Sequence, residues 1–299
     1  MKFGVREICN VVFRAKDQMT LGGSTFAKNQ PVLYIDSAKA STLEGAATSV
    51  YATGGRGNTR LLTWEGEKTL SFSVEDALIS QMGLAILSGA GLIKGKNTES
   101  VHVHKAIAAQ VADDGTIDVK AGLGANEKIC STAAIFVMAC EADGTLTGET
   151  ASGVSVAASG QGFEIGTSEK SKWVGKKVVT DFYITKTADK VSEIQIDAAH
   201  FAGYFYVEAE TLFRRQTDGV DAPVVITLPN VKIQSNFTFS MASSGDPSTF
   251  NFQMDAHPGY TYFNPTKEVL CVMQIVEDSE GKADEWSTVM AHTSGESVG

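Results

Sequence analysis

The sequence predicts a mostly β protein with one flanking helix, one long loop and a small β insertion. Three observations carry this. Apolar and polar residues alternate with a period of two along many segments, which puts one row of side chains on a buried face and the next in water. Glycine is abundant (29) and proline scarce (6) among 299 residues, as many tight turns between strands require. Hydrophobic residues make up 43% and charged residues only 20%, enough apolar content for a packed core in a chain of this length.

Taken in order, residues 32–36 and 60–64 read as strands, and Gly66 turns the chain into another at 68–73. Between the first two lies residues 41–59, small, polar and glycine-rich, closing on Gly54-Gly55-Arg56-Gly57-Asn58. As a loop it is far longer than an ordinary hairpin connection, so it is expected to be disordered or functional. The helix is placed at about residues 74–88. Ser73-Val74-Glu75-Asp76 has capping-box spacing, with Asp76 where Glu or Gln is usual. Its carboxylates suit the positive end of the helix dipole. Val74, Ala77, Leu78, Met82 and Ala85 recur at helical spacing, and Gly89 and Gly91 stop the helix.

Residues 96–175 hold repeated turns (Asp114-Gly115, Asp143-Gly144, Gly160-Gln161-Gly162) around short apolar runs such as 133–140, and read as an inserted small β domain. The remainder, 1–95 with 176–299, reads as the main β domain. In it, 178–186 alternates, and 204–213 is aromatic and β-branched with Glu208 and Glu210 on one face. The clearest alternation is 231–241, with Val231, Ile233, Phe237, Phe239 and Met241 on the buried side. After the turn cluster Ser243-Ser244-Gly245-Asp246-Pro247, residues 250–255 return as its hairpin partner. Residues 269–276 are nearly all apolar, as a central strand covered on both faces would be.

Charge and motifs exclude several functions. A net charge of −10 with no basic run disfavours tight nucleic-acid binding, which depends on phosphate neutralisation. No stretch reaches the ~18 apolar residues of a membrane helix, and the start lacks the apolar run of a signal peptide. The four cysteines show no CxxC spacing and are expected to be reduced. Residues 90–97 approximate a phosphate-binding loop, but Ala90 replaces its first glycine, Asn97 replaces its Ser/Thr, and a helix precedes it instead of a strand. His102 and His104 share a strand face without a third ligand, so a solvated strand edge is the ordinary reading. The run from Asp113 to Asp118 lacks the closing Glu of a calcium loop and reads as a turn. The sequon Asn236-Phe237-Thr238 falls inside a strand. No nucleophile elbow or catalytic cysteine context is present. No enzymatic activity, cofactor or metal is expected.

The order of parts then becomes informative: strand, long glycine-rich stretch, strand, capped helix, β-rich remainder. It resembles the tail tube proteins of tailed bacteriophages, virion structural proteins of large contractile-tailed phages. The resemblance is carried by Val32-Leu33-Tyr34-Ile35-Asp36, the stretch up to Gly57, and the run from Leu61 through Trp64 and Gly66 to Leu70 and on to Leu78. A second block runs from Phe201 through Tyr204 and Glu208 to Thr211, then from Lys232 to Asn236 and from Ser244 to Phe250. The inserted residues 96–175 exceed what a minimal tube subunit needs.

That resemblance implies a two-sheet β-sandwich or barrel with a flanking helix. Six copies would form a ring whose inner sheets join into one barrel, removing exposed strand edges. Stacked rings would form a conduit for the genome. The stretch 41–59 would be the ring-stacking element, with Glu44, Tyr51, Arg56, Asn58 and Arg60 as its candidate contact residues. Partners would be other copies of the chain, the tail sheath, tape-measure and baseplate proteins, and DNA passing without sequence-specific binding. At −10 per copy, a ring of six would carry roughly −60 and repel phosphates. The expected location is the virion tail, assembled in the host cytoplasm. Two alternatives stay open: a capsid decoration or baseplate structural protein, and a carbohydrate-active β-sandwich protein.

Overall fold

The structure, a computed structural model, describes residues 2–277 apart from 22–23, 90, 94–99, 126, 188–190, 197, 239–240, 242 and 245–247. The chain divides into two compact units, Met1–Ile93 with Ile194–Gly299, and Lys94–Glu193. Each has its own apolar core.

The first unit is built on seven principal strands: β1 Asn10–Ala15, β2 Pro31–Ile35, β3 Ala38–Gly54, β4 Thr59–Asp76, β5 Tyr204–Arg215, β6 Asp221–Ile233 and β7 Phe250–Ala256. Their order in the sheet is β2-β1-β5-β6-β7-β4-β3, and every one of these pairings is antiparallel. Short strands Phe3–Val5 and Val272–Ile275 add to β5 and β6. Alternation decides which side is buried. Val11, Phe13 and Ala15 are buried on β1 while Asn10, Val12 and Arg14 are half-buried on the opposite face. Phe205, Val207 and Ala209 on β5, and Phe250, Phe252 and Met254 on β7, complete the inner face.

This sheet is curled. β1 and β7 are three places apart, about 14 Å in a flat sheet. Yet the Phe13 and Phe252 rings lie 5.9 Å apart, and Phe13 meets Phe205 edge-on at 6.1 Å. Two layers therefore face each other across one core, which also takes Ile86 and Leu87 of the helix α1, Gln81–Ser88. The sheet does not close, because its margins β2 and β3 are not paired with each other.

The mostly β expectation holds, and several element assignments are corrected. The helix begins at Gln81, not at 74. Ser73 and Glu75 lie in β4, opposite Gln253 and Asn251 of β7, and Phe72, Val74 and Asp76 alternate as buried residues. Period-two burial with a paired neighbour outweighs a four-residue capping pattern. The true cap is Ser80, whose Oγ accepts the Gly83 N–H at 2.9 Å. Gly89 does stop the helix, in left-handed conformation at φ 68°. A Cβ there would also lie 2.5 Å from the Phe201 carbonyl carbon, so both backbone angle and close approach require glycine.

Residues 41–59 are not a loop. Through Gly54 they belong to β3, which pairs with β4 from Ala38↔Asp76 to Gly54↔Thr59. Small residues without apolar alternation resemble a loop in sequence, but a strand wet on both faces needs no alternation. Gly66 does not turn the chain either. It sits where the register shifts between Ala47 and Ser49, and a Cβ on it would lie 2.5 Å from the Thr48 hydroxyl, which accepts the Glu67 N–H at 2.9 Å. β6 starts at Asp221 and ends at Ile233, so only the first residues of 231–241 are strand; Phe237 packs against the core from an irregular segment. Phe239 and Gly245-Asp246-Pro247 lie outside the described residues. The apolar run 269–276 is broken at Leu270 and Cys271, and its second half pairs with β6 alone, with Met273 exposed.

The second unit packs two sheets. In one, Ser100–Gln110 pairs along Lys177–Thr187 from Gln110↔Lys177 to Ser100↔Thr187, and Phe136–Cys140 and Lys128–Ile129 lie on the other side of that strand. The second sheet holds Thr116–Asp118, Gly162–Ile165 and Val154–Val156. Phe163 and Phe182 meet edge-to-face at 5.1 Å within the core. The turn before Thr116 is made by Gly115 at φ 80° and by the Asp114 carboxylate, which accepts both the N–H and the hydroxyl of Thr116. Those hydrogen bonds hold Asp114 below the usual carboxylate range. All four cysteines are free thiols; Cys9 and Cys130 are buried.

Candidate assembly surfaces

β3 and β4 form a hairpin whose outer part leaves the sheet. β7 pairs with β4 only over Ser71–Asp76, so among the described residues Thr59 to Leu70 have β3 as their one strand neighbour. Twelve residues at about 3.3 Å each make a two-stranded arm of roughly 40 Å. Its tip is the turn Gly55-Arg56-Gly57-Asn58, with φ of 80° at Gly55, 92° at Gly57 and 51° at Asn58, closed by the Asn58 N–H donating to the Gly55 carbonyl at 3.2 Å.

The five residues expected at a stacking contact fall on this arm in three places. Arg56 and Asn58 are in the tip turn. Tyr51 is opposite Thr63, and the Arg60 guanidinium lies 3.9 Å from the centre of its ring. Glu44 is opposite Ser71 near the root, seven residues from Tyr51 or about 23 Å along the strand. The structure thus brings Tyr51 and Arg60 together and leaves Glu44 apart.

Sequence reasoning missed the other face. Val50 is opposite Trp64 and Ala52 opposite Leu62, so these four share one side of the arm. Val50, Leu62 and Trp64 are 62%, 60% and 54% exposed, and Leu61, at the register shift between Ala52 and Thr53, is 63% exposed. In the sequence, Leu61-Leu62-Thr63-Trp64 looks like a core strand. Its partner residues, Val50-Tyr51-Ala52-Thr53, are themselves partly apolar, so no signal in the sequence marks this pair as exposed.

The outer face of the curled sheet is polar. The Arg14 Nε donates to Glu208 at 2.9 Å, Lys16 donates to Asn230 at 2.6 Å, and Gln234 donates to Asp255 at 2.8 Å. Glu210, beside Glu208, titrates above the ordinary range because of partial burial and then its like-charged neighbour. Tyr206 is stacked under Tyr262 of the hairpin Gly259–Thr261 and Asn264–Val269. Phe263, in the turn of that hairpin, is 96% exposed.

The remaining chemical candidates do not converge. His104 Nε2 lies 2.7 Å from Asp181, with the Tyr183 ring against it, and His102 faces the Thr185 hydroxyl at 3.4 Å. No group of three or more metal-ligating side chains occurs among the described residues. A cleft at Asn236, Thr249, Asn251 and Gln253 offers amides and hydroxyls. No helix among the described residues is long and apolar enough to cross a membrane. The phosphate-loop-like stretch 90–97 lies largely outside the described residues.

Comparison with known proteins gives one result of substance. Residues 24–259 match the YomU/Tube protein family. This span takes in the arm, the helix, the second unit and β1's partners on both sides of it. No curated protein matches the chain.

Proposed function

The chain belongs to the YomU/Tube protein family, and from that premise we propose that it is the structural subunit of a phage tail tube. Membership in the family agrees with the resemblance to tail tube proteins noted above. In this reading six copies form a ring, rings stack, and the bore carries the genome to the host. The subunit works in the virion tail, after assembly in the host cytoplasm, alongside sheath, tape-measure and baseplate proteins.

The observation that carries the reading is the arm. A two-stranded ribbon exposed on both faces is marginal in water by itself, and this one presents large apolar side chains along one side. Such a surface is expected of a subunit that completes itself on a neighbour. The margins of β2 and β3, which pair with no further strand among the described residues, supply the backbone groups through which sheets of adjacent copies can join. The charge of −10 per copy suits a bore that must not hold phosphates.

Electron microscopy of the purified full chain tests this. Rings with a central hole, and tubes made of them, are the expected result. A chain that stays monomeric at high concentration, or that assembles without a pore, overturns it.

A further inference from the structure

We propose that the outer face of the curled sheet carries an oxyanion site around Tyr204, built by Lys16, Lys232 and His257, and that its ligand is a phosphate group. The proposal goes beyond the tube reading and does not rest on it.

Strand register assembles the site. Lys232 on β6 is directly opposite Tyr204 on β5. Lys16 follows β1, one residue past the pairing of Ala15 with Phe205, so it flanks Tyr204 from the other side. Its side chain nonetheless ends towards β6, where its Nζ donates to the Asn230 Oδ1 at 2.6 Å. Asn230 is fixed for that role. Its backbone carbonyl accepts the His257 N–H at 2.8 Å, and its side-chain amide donates to the Pro258 carbonyl at 3.1 Å. Two ammonium groups therefore gather at one ring. The Lys232 Nζ lies 4.9 Å and the Lys16 Nζ 5.6 Å from the centre of Tyr204. The His257 ring meets the same ring at 5.7 Å, and Tyr204 is 48% exposed, so a ligand can reach the group.

The second observation is positive charge left without its opposite. The chain has 35 Asp and Glu against 25 Lys and Arg, so acids are plentiful. Yet Lys16 and Lys232 are held by neutral acceptors, the Asn230 amide oxygen and the Ala202 carbonyl. Among the described residues neither lysine has an ion-pair partner. The carboxylates of this face are engaged elsewhere. Glu208 accepts from Arg14, and Asp255, opposite Lys232, accepts from the Gln234 amide. Like charges held at one ring repel, and an anion between them reverses that cost. Each ammonium has three N–H donors and spends one on its neutral acceptor, which leaves donors for a ligand. Compact point charges without a guanidinium fork suit the tetrahedral oxygens of phosphate better than a planar carboxylate. On a chain of net charge −10 one such site holds its ligand weakly and reversibly. The phosphate reaches it as the free ion or as the phosphodiester of a nucleic acid backbone.

The test uses the full chain at one ionic strength, in sodium chloride and in sodium phosphate. In the parent, acetylation by acetic anhydride is followed residue by residue by mass spectrometry. Lys16 and Lys232 should react about fivefold or more slowly in phosphate, and exposed Lys28 should react at one rate in both. Sodium acetate should not protect. Thermal unfolding then compares the parent with K16M/K232M, which keeps the apolar stems, and with K28M/K39M, which removes the same charge elsewhere. Phosphate should raise the melting temperature of the parent and of K28M/K39M alike. In K16M/K232M the phosphate concentration needed for that rise should increase about tenfold or more.

A short DNA duplex, added in place of phosphate, separates the two sources. Protection of the same two lysines by the duplex assigns the phosphodiester, and protection by inorganic phosphate alone assigns the free ion; either result supports the site. Equal acetylation of Lys16 and Lys232 in phosphate and chloride, or equal protection by acetate, overturns the proposal. A phosphate-dependent rise retained in full by K16M/K232M overturns it too. These readings do not involve rings or tubes, so their failure leaves the tube reading standing, and a parent that forms no rings leaves the site standing.

Discussion

The Tyr206 and Tyr262 rings stack 4.1 Å apart at 16°, and this contact holds the hairpin with exposed Phe263 at its turn onto the outer face of β5. The pair also records its surroundings electrically. Tyr262 is pushed up to about 12, first by burial and then by Tyr206. The folded state thus keeps a proton that the unfolded chain loses near pH 10. Stability should therefore fall as pH rises from about 10 through 12. Tyr262→Phe should keep the stack and lose that part of the alkaline decline. Tyr262→Ala should cost about 1 kcal/mol through loss of the aromatic pair. Thermal unfolding between pH 8 and 12 checks both.

The helix start can be tested by two serines. Ser80 caps the first turn, so Ser80→Ala should destabilise by about 1 kcal/mol. Ser73 lies mid-strand in β4 opposite Gln253, so Ser73→Ala should leave the helix unaffected. Denaturation of both variants decides it, and an equal loss would restore the earlier start at 74. At the other end, Gly89→Ala combines positive φ with a backbone clash and should cost more than about 2 kcal/mol. Gly57→Ala, with nothing within 4 Å of its Cβ, carries only the φ strain of an exposed tip.

These contrasts show what was legible in the sequence. Where one face of a strand is buried, as at Val178, Phe182 and Ile184, alternation identified it directly. The Gly89 stop was equally readable, since left-handed backbone selects glycine. Residues 41–54 were opaque because their ladder is exposed on both sides; in their partner the sequence shows strands at 60–64 and 68–73, but not that they are one continuous strand. Their pairing is a long-range backbone property that leaves no period in the side chains. The apolar side of the arm was hidden for the same reason. Leu62 and Trp64 carry the composition of a core strand, and only knowledge that no third strand covers them marks them as surface. Ser73-Val74-Glu75-Asp76 misled because a capping pattern is local and β7 is 174 residues or more away along the chain.

Glu210 gives a prediction of opposite form to that of an ion-paired acid. Partial burial and the Glu208 charge hold its carboxyl above the ordinary range. The folded state therefore binds a proton more readily than the unfolded state, and this residue's contribution improves as pH falls from neutrality through its folded pKa. Glu210→Gln should raise the melting temperature at pH 7, and the advantage should shrink towards pH 4. The comparison is between variant and parent at each pH. Groups held low by hydrogen bonds or ion pairs, such as Asp221 beside Arg214, act in the other direction in both proteins and cancel.

The second unit's own core makes a last prediction. Phe182 is fully buried and meets Phe163 edge-on, with Trp173, Ile117 and Ile184 in the same cluster. None of these belongs to the core around Phe13 and Phe252. Phe182→Ala should therefore open a cavity costing about 3–5 kcal/mol in the second unit only. Amide hydrogen exchange resolves the consequence by segment. Protection should collapse in 100–110 and 177–187, where the two long strands pair, and persist in β1, β5 and β6. Equal loss of protection in both sets would mean that the two cores unfold as one cooperative body.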